Sequence, residues 1–94
     1  MNIKIHQTKY SSIVVLCDKE LIGKEIKEGD LCINITERFY KGEDLPESRV
    51  IKILKDADST NIVGEKSIQI ALKADIIKKE SIKRIKGIPF AISV

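Results

Sequence analysis

Residues 59–75 read STNIVGEKSIQIALKAD, in which a run suited to a β-strand is followed by one glycine and then by a helical pattern. The first five residues predict a short strand, and Gly64 predicts the turn that ends it. After the glycine, Ile68, Ala71 and Leu72 recur at spacings of three and one, which place them on one side of a helix. The stretch therefore predicts a strand, a turn and an amphipathic helix that ends near residue 75.

The rest of the chain adds further strands and a second helix. Alternating or unbroken runs of β-branched residues predict strands near residues 3–5, 13–17, 31–35 and 82–86. Pro46 precedes apolar residues spaced three and four apart between Glu47 and Ala57, which predicts a helix that begins after the proline. The segment Gly87–Phe90 is expected to break the last strand, with residues 91–94 packed back onto the core. The fold class expected is α+β, a single small domain over residues 1–94 with a mixed β-sheet and two main helices packed on it.

The composition is that of an ordinary folded domain. Of the 94 residues, 43% are hydrophobic and 33% are charged, which supplies enough apolar material for one core and excludes a disordered chain. No apolar run reaches the roughly 18 residues of a membrane span. The alternating first residues lack the apolar region of a signal peptide, so we expect a cytoplasmic protein without a membrane partner. The excess of Ile and Lys indicates either a thermophile or an A+T-rich genome.

The cysteines and the single histidine indicate little catalytic chemistry. Cys17 and Cys32, with only one histidine in the chain, cannot complete a four-ligand zinc site. We expect two buried free thiols, and a disulfide between neighbouring strands is the alternative. His6 occupies a polar position of the first strand and has no orienting partner in the sequence pattern. The carboxylates, Asp18 among them, fall in turn or cap contexts, so we expect no catalytic residue, no metal and no cofactor.

The helix start after Gly64 is the first candidate for binding an anion. A glycine turn followed by Lys66 and Ser67 offers backbone N–H groups and a lysine to a phosphate. The stretch does not match a nucleotide-binding P-loop, because Glu65 separates the glycine from the lysine and Ser59 stands where that motif requires another glycine. A phosphate site of lower specificity is therefore one interpretation, and a glycine that allows close helix–strand packing is the other.

Charge is distributed unevenly along the chain. Residues 1–47 carry seven basic and nine acidic residues, whereas residues 48–94 carry ten basic and five acidic residues. A patch of one sign can bind a phosphate backbone by releasing counterions, and a solvated lysine-rich surface is the alternative. The basic residues that form the candidate nucleic-acid surface are Lys78, Lys79, Lys83, Arg84 and Lys86.

Five blocks of the chain are similar to successive blocks of one protein family. They are Cys17–Lys24, Glu28–Asp30, Phe39–Glu43, Asn61–Ser67 and Ile85–Pro89. From about residue 3 to residue 89, the chain resembles the short archaeal proteins grouped as domain of unknown function 424. The resemblance implies an archaeal, intracellular, single-domain protein without an established activity, whose relatives are associated with translation genes. In that family a histidine often follows the proline near the C-terminus, where this chain has Phe90. The resemblance therefore does not predict chemistry by an imidazole side chain at this position.

Together these observations predict a non-catalytic, RNA- or ribosome-associated accessory protein that binds phosphate backbone through its basic C-terminal half. One alternative is a protein–protein adaptor, or a subunit of a translation-linked complex that makes no nucleic-acid contact. Its interface would comprise Phe39, Tyr40 and Leu45, with an apolar patch exposed there. The other alternative is an enzyme acting on a small anionic substrate, which requires a deep pocket with convergent polar groups around Gly64 and Ser67.

Overall fold

A computed structural model describes residues 1–93 and confirms the α+β class, with one mixed sheet, a separate hairpin and helices packed on the sheet. The strands are β1 (Asn2–Gln7), β2 (Ser12–Cys17), β3 (Glu25–Glu28), β4 (Leu31–Asn34), β5 (Glu43–Asp44), β6 (Ser59–Val63), β7 (Lys83–Ile85) and β8 (Ile88–Ser93). The helices are α1 (Glu37–Tyr40), α2 (Glu47–Lys55) and α3 (Glu65–Lys73), and short 3-10 turns occupy Lys19–Leu21 and Lys79–Ser81.

The main sheet has six strands in the order β5-β1-β2-β6-β8-β7, and β3 pairs with β4 in a second sheet of two strands. Within the main sheet β2 and β6 run parallel, and the other neighbours are antiparallel. The parallel pair places Leu16 beside Ile62 and Cys17 beside Val63. The residues that directly follow β2 and β6 therefore lie next to each other at one end of the sheet.

Both faces of the central strands are covered, which explains the unbroken apolar run at 13–17. Helices α2 and α3 cover one face, where the buried cluster comprises Ile3, Val14, Leu16, Val50, Leu54, Ile62, Ile68, Ile70, Ala71, Ile77 and Ala91. The β3–β4 hairpin and α1 contribute to the other face, where the cluster comprises Val15, Cys17, Ile26, Ile35, Tyr40, Val63 and Ile85. In β2, successive side chains alternate between the two clusters, as the strand period of two requires.

Several predicted elements match the structure closely. Helix α2 begins directly after Pro46, and α3 begins directly after Gly64, although both end two residues earlier than the apolar pattern suggested. Thr36 caps the short helix α1, since its hydroxyl oxygen accepts a hydrogen bond from the Phe39 backbone N–H at 3.3 Å. Within residues 1–93, no helix is long and apolar enough to cross a membrane.

Two parts of the architecture differ from the sequence expectation. The strand expected at 31–35 forms a hairpin with the unpredicted β3 instead of joining the main sheet. The expected break at Gly87–Phe90 is a tight turn at Lys86 and Gly87, followed by β8, which pairs with both β6 and β7. Pro89 is tolerated in β8 because the pairing with β6 begins only at Phe90, so no donor from Pro89 is needed there. The last residue of the expected packed tail, residue 94, lies outside the described range.

Candidate nucleic-acid interface

The start of α3 is occupied by a carboxylate of the chain itself. Asp18, only 4% exposed, accepts hydrogen bonds from the Lys66 N–H at 3.1 Å, the Ser67 N–H at 2.8 Å and the Ser67 hydroxyl at 2.7 Å. Asp18 follows β2 and its own N–H donates to the Val63 carbonyl at 3.1 Å, which extends the parallel pairing by one residue. The carboxylate therefore caps a helix 48 residues further along the chain and also neutralises the positive end of its dipole.

Gly64 is required at this position for two reasons. Its φ of 109° lies in a region that side chains rarely adopt, and a Cβ built there would lie 2.3 Å from the Asp18 Cγ. The Gly64 N–H donates to the Pro89 carbonyl at 2.9 Å, so the same residue also joins β6 to the start of β8. The sequence interpretation of Gly64 as a close-packing glycine matches this geometry, although the close contact is made by Asp18 rather than by a neighbouring strand.

This geometry corrects the expectation of a phosphate site built on Gly64, Lys66 and Ser67. Ser67 is fully buried, and both its donors point at Asp18. An external phosphate would have to displace the buried Asp18 carboxylate, or it would bring a second negative charge to the amides that this carboxylate already binds. Of the three predicted residues, only the side chain of Lys66 remains exposed to solvent.

The other predicted basic residues lie together at one edge of the sheet. We call Lys78, Lys79, Lys83, Arg84 and Lys86 the basic edge; all five are exposed. Lys78 and Lys79 lie at the start of the 3-10 turn, and Lys83 and Arg84 lie on β7. Lys86 lies in the turn to β8, with a φ of 49°. Because β7 is the terminal strand of its sheet, these side chains border a surface that no further strand of the six-stranded sheet covers.

Arg84 differs from the four lysines of the basic edge. Its Nη1 donates to the Glu65 Oε1 at 2.9 Å and to the Gly87 carbonyl at 2.8 Å, which ties the edge to the first turn of α3. Over residues 1–93, no carboxylate oxygen lies within 4.0 Å of the ammonium group of any of the four lysines. Charged side chains on an edge strand also prevent pairing with other chains, so this arrangement fits both the functional interpretation and the solvated-surface alternative.

The surface expected for a protein partner is not present as one patch. Tyr40 is buried in the cluster beneath the hairpin, and burial raises the pKa of its hydroxyl. Phe39 is half-buried; its ring stacks on His6 at 4.5 Å, and its carbonyl lies 2.8 Å from the His6 Nε2. Leu45 packs against the cluster on the opposite face of the sheet. His6 is consequently a half-buried side chain whose partner is Phe39, although the sequence pattern indicated no partner for it.

The two cysteines are both free, and they differ in environment. Cys17 is buried, and burial, with smaller contributions from Asp18 and Glu20, raises the pKa of its thiol to about 12. Cys32 is exposed on the hairpin, contrary to the expectation that both thiols are buried. No group of three or more metal-ligating side chains occurs among the described residues.

A cavity of about 190 Å³ lies beside the start of α3. Leu21, Ile88 and Pro89 contribute its apolar lining, and the Asp18 carboxylate at its wall is already hydrogen-bonded. Small-molecule sites generally have volumes of about 300–1,000 Å³ and several convergent polar groups. This cavity therefore offers no support to the alternative of an enzyme acting on a small anion at Gly64 and Ser67.

Comparison with known proteins places the chain in a family. The sequence pattern of the family described as protein of unknown function, DUF424, matches residues 6–94, and the chain belongs to this family. The fold is similar to the crystal structure of an uncharacterized conserved protein from Methanopyrus kandleri, an archaeon, with a TM-score of 0.80 and 26% sequence identity. The match covers 97% of this chain and 87% of that chain. No protein with a curated functional description matches the chain.

Proposed function

We propose that this protein is a non-catalytic, RNA-associated accessory protein that binds phosphate backbone through the basic edge. The observation that carries the proposal is the concentration of five exposed cations within nine residues at the end of one sheet. Four of them are lysines without a carboxylate partner over residues 1–93, so RNA phosphates would meet charges that no internal ion pair already satisfies. We further propose that the protein associates with the ribosome in the cytoplasm. This part of the proposal rests on the translation context that the family resemblance implies.

The chemistry of the basic edge favours contacts with the backbone over contacts with bases. Four of the five residues are lysines, which act as compact point charges, whereas Arg84 is already engaged by Glu65 and Gly87. Lysine contacts with phosphates release counterions and carry no sequence information. Structured RNA, recognised through its shape and its phosphates, is therefore the partner class that suits this surface.

The test is a salt titration of RNA binding with a matched pair of variants. The first variant replaces Lys78, Lys79, Lys83 and Lys86 by Gln, and the control replaces four exposed lysines elsewhere by Gln. These control positions are Lys24, Lys41, Lys52 and Lys55. Both variants have the same net charge, so a general electrostatic effect would weaken them equally.

Fluorescence anisotropy with a labelled RNA hairpin measures the affinity between 50 and 300 mM KCl. For the unmodified chain, log Kd should rise linearly with log salt, and the basic-edge variant should lose about three to four units of that slope, roughly one per phosphate contact. The control should keep the original slope. Equal slopes in the two variants, or an affinity of the unmodified chain that does not depend on salt, would contradict the proposal.

The adaptor alternative loses the surface on which it depended, because Tyr40 is buried and Phe39 and Leu45 lie on opposite faces of the sheet. The enzyme alternative lacks a pocket of sufficient size at Gly64 and Ser67. Purification from a native lysate with and without ribonuclease distinguishes RNA association from the direct protein contact of the adaptor alternative. Partners lost on ribonuclease treatment indicate RNA-bridged association, and partners retained indicate direct protein contact.

A further inference from the structure

At the opposite edge of the sheet, one segment has backbone hydrogen-bonding groups with no strand beside them among residues 1–93. Strand β5 pairs with β1 only at Asn2 and Ile3, and Gly42 packs against the backbone of Ile3 and Lys4. Met1 and Leu45 exchange both of their hydrogen bonds, since the N-terminal ammonium donates to the Leu45 carbonyl at 2.8 Å and the Leu45 N–H donates to the Met1 carbonyl at 3.0 Å.

That exchange determines which groups of β1 face outward. In an antiparallel strand, the backbone N–H and C=O groups of alternate residues point to the same side. Because those of Met1 point toward β5, the N–H and C=O groups of the other odd-numbered residues of β1 point to that side as well. Ile5 and Gln7 therefore present their backbone N–H and C=O groups beyond the end of β5. We call residues 5–7 the open edge.

An apolar groove runs alongside the open edge on the face covered by α2. It has a volume of about 300 Å³, and Leu45, Arg49 and Ile53 line its far side. Ile5 lines the near side of the groove. Its side chain is 47% exposed, although it lies on the same face of β1 as the buried Ile3. A side chain from an added strand, placed opposite Ile5, would enter this groove.

The charges around the open edge specify the kind of strand that can be added. Residues 1–12 contain the cations Lys4 and Lys9 and no carboxylate, and the groove adds Arg49 against the single carboxylate of Glu43. A second copy of this chain, paired edge to edge, would bring two sets of these cations together, and like charges across strands are unfavourable. An acidic strand would meet opposite charges instead.

We propose that the open edge binds an extended acidic segment of a partner protein as an additional β-strand. The segment alternates apolar and acidic residues: the apolar side chains enter the groove beside Ile5, and the acidic ones lie on the other face, near Lys4. Main-chain hydrogen bonds from Ile5 and Gln7 supply affinity, as in other complexes formed by strand addition. This proposal is independent of RNA binding, because the open edge and the basic edge border opposite ends of the sheet.

The experiment uses the full chain, labelled with 15N, and a capped peptide, Gly-Glu-Ile-Glu-Val-Glu-Ile-Glu-Gly. Titration should shift the amide signals of residues 3–9 and slow hydrogen exchange at the Ile5 and Gln7 N–H groups, which face solvent in the free chain. A peptide with Lys in place of each Glu should bind at least about fivefold more weakly, because attraction is replaced by repulsion at several positions.

Two variants of the chain complete the test. Lys4→Glu should weaken binding of the acidic peptide about threefold to tenfold, whereas Lys24→Glu, the same charge change at an exposed residue outside the edge, should leave it unchanged. Ile5→Pro removes one outward N–H without removing a bond to β2, and it should abolish the protection at Gln7.

Three results would overturn the proposal. The first is peptide binding without exchange protection at Ile5 and Gln7, and the second is equal binding of the acidic and the basic peptide. The third is another occupant of the same edge: either a dimer in sedimentation experiments with these amides already protected, or RNA that shifts the same amide signals.

Discussion

Replacement of Asp18 by Asn tests whether the internal carboxylate holds β2 against the start of α3. The substitution preserves the size of the side chain and removes its charge. Oδ1 of the aspartate accepts two bonds from Ser67, and Oδ2 accepts one from the Lys66 N–H at 3.1 Å. In the variant, the amide oxygen can retain the two bonds to Ser67, but its NH₂ group then faces the Lys66 N–H, donor against donor.

The expected decrease in the free energy of unfolding follows from the number and type of the hydrogen bonds that Asp18→Asn removes or weakens. A hydrogen bond to a charged group contributes about 1.5–3 kcal/mol, and an unsatisfied buried donor costs about 1–3 kcal/mol. Loss of the Lys66 bond and weakening of the other two predict a decrease of about 2–4 kcal/mol in the free energy of unfolding. For a domain of this size, that corresponds to a melting temperature lower by roughly 10–25 °C.

Urea unfolding followed by circular dichroism measures this loss directly. Ser67→Ala should cost less, about 1–2 kcal/mol, because it removes one of the three bonds and leaves the two backbone donors in place. Asp30→Asn is the control, since Asp30 is exposed in the turn between β3 and β4 and should change stability by less than about 0.5 kcal/mol. If Asp18→Asn unfolded at the same urea concentration as the unmodified chain, the carboxylate could not be the group that joins β2 to α3.

Further predictions concern Gly64 and the two thiols. Gly64→Ala should destabilise the fold by about 2 kcal/mol or more in urea unfolding, because the new Cβ would meet the Asp18 carboxyl and the backbone would keep an unfavourable φ of 109°. Under native conditions at pH 8, a thiol reagent should modify Cys32 rapidly and Cys17 only after unfolding, which mass spectrometry of the labelled chain checks. The pKa of Cys17 is raised from 9.0 to about 12, so its contribution to stability is fully present below pH 9 and is lost as the pH rises toward 12. Cys17→Ala should therefore show a shallower fall of stability between pH 9 and pH 12 than the unmodified chain.

Local pattern was sufficient to predict the elements whose formation depends on neighbouring residues. Pro46 and the apolar spacing after it predict α2, and Gly64 predicts the boundary between β6 and α3. The candidate residues of the basic edge were predicted as a group, since closeness in sequence keeps them close in space. All five are exposed in the structure.

Contacts between distant residues could not be predicted in the same way. The placement of Asp18 at the start of α3 depends on the parallel pairing of β2 with β6, which joins segments about 46 residues apart. Nothing in the local sequence of Asp18 distinguishes a cap of its own turn from a cap of a distant helix. The same reason applies to Phe39 and Leu45, which are six residues apart and lie on opposite faces of the sheet.

The sequence by itself determined the fold class, the two main helices, the central strand β2 and the concentration of positive charge near the C-terminus. These features follow from local periodicity, capping residues and composition, which act over a few residues. Only the tertiary structure decided that the anion at the start of α3 is Asp18, that β8 joins the sheet and that β1 keeps an open edge. Strand pairing decides these features, because it depends on which segments bury their apolar faces together and not on the residues within any one segment.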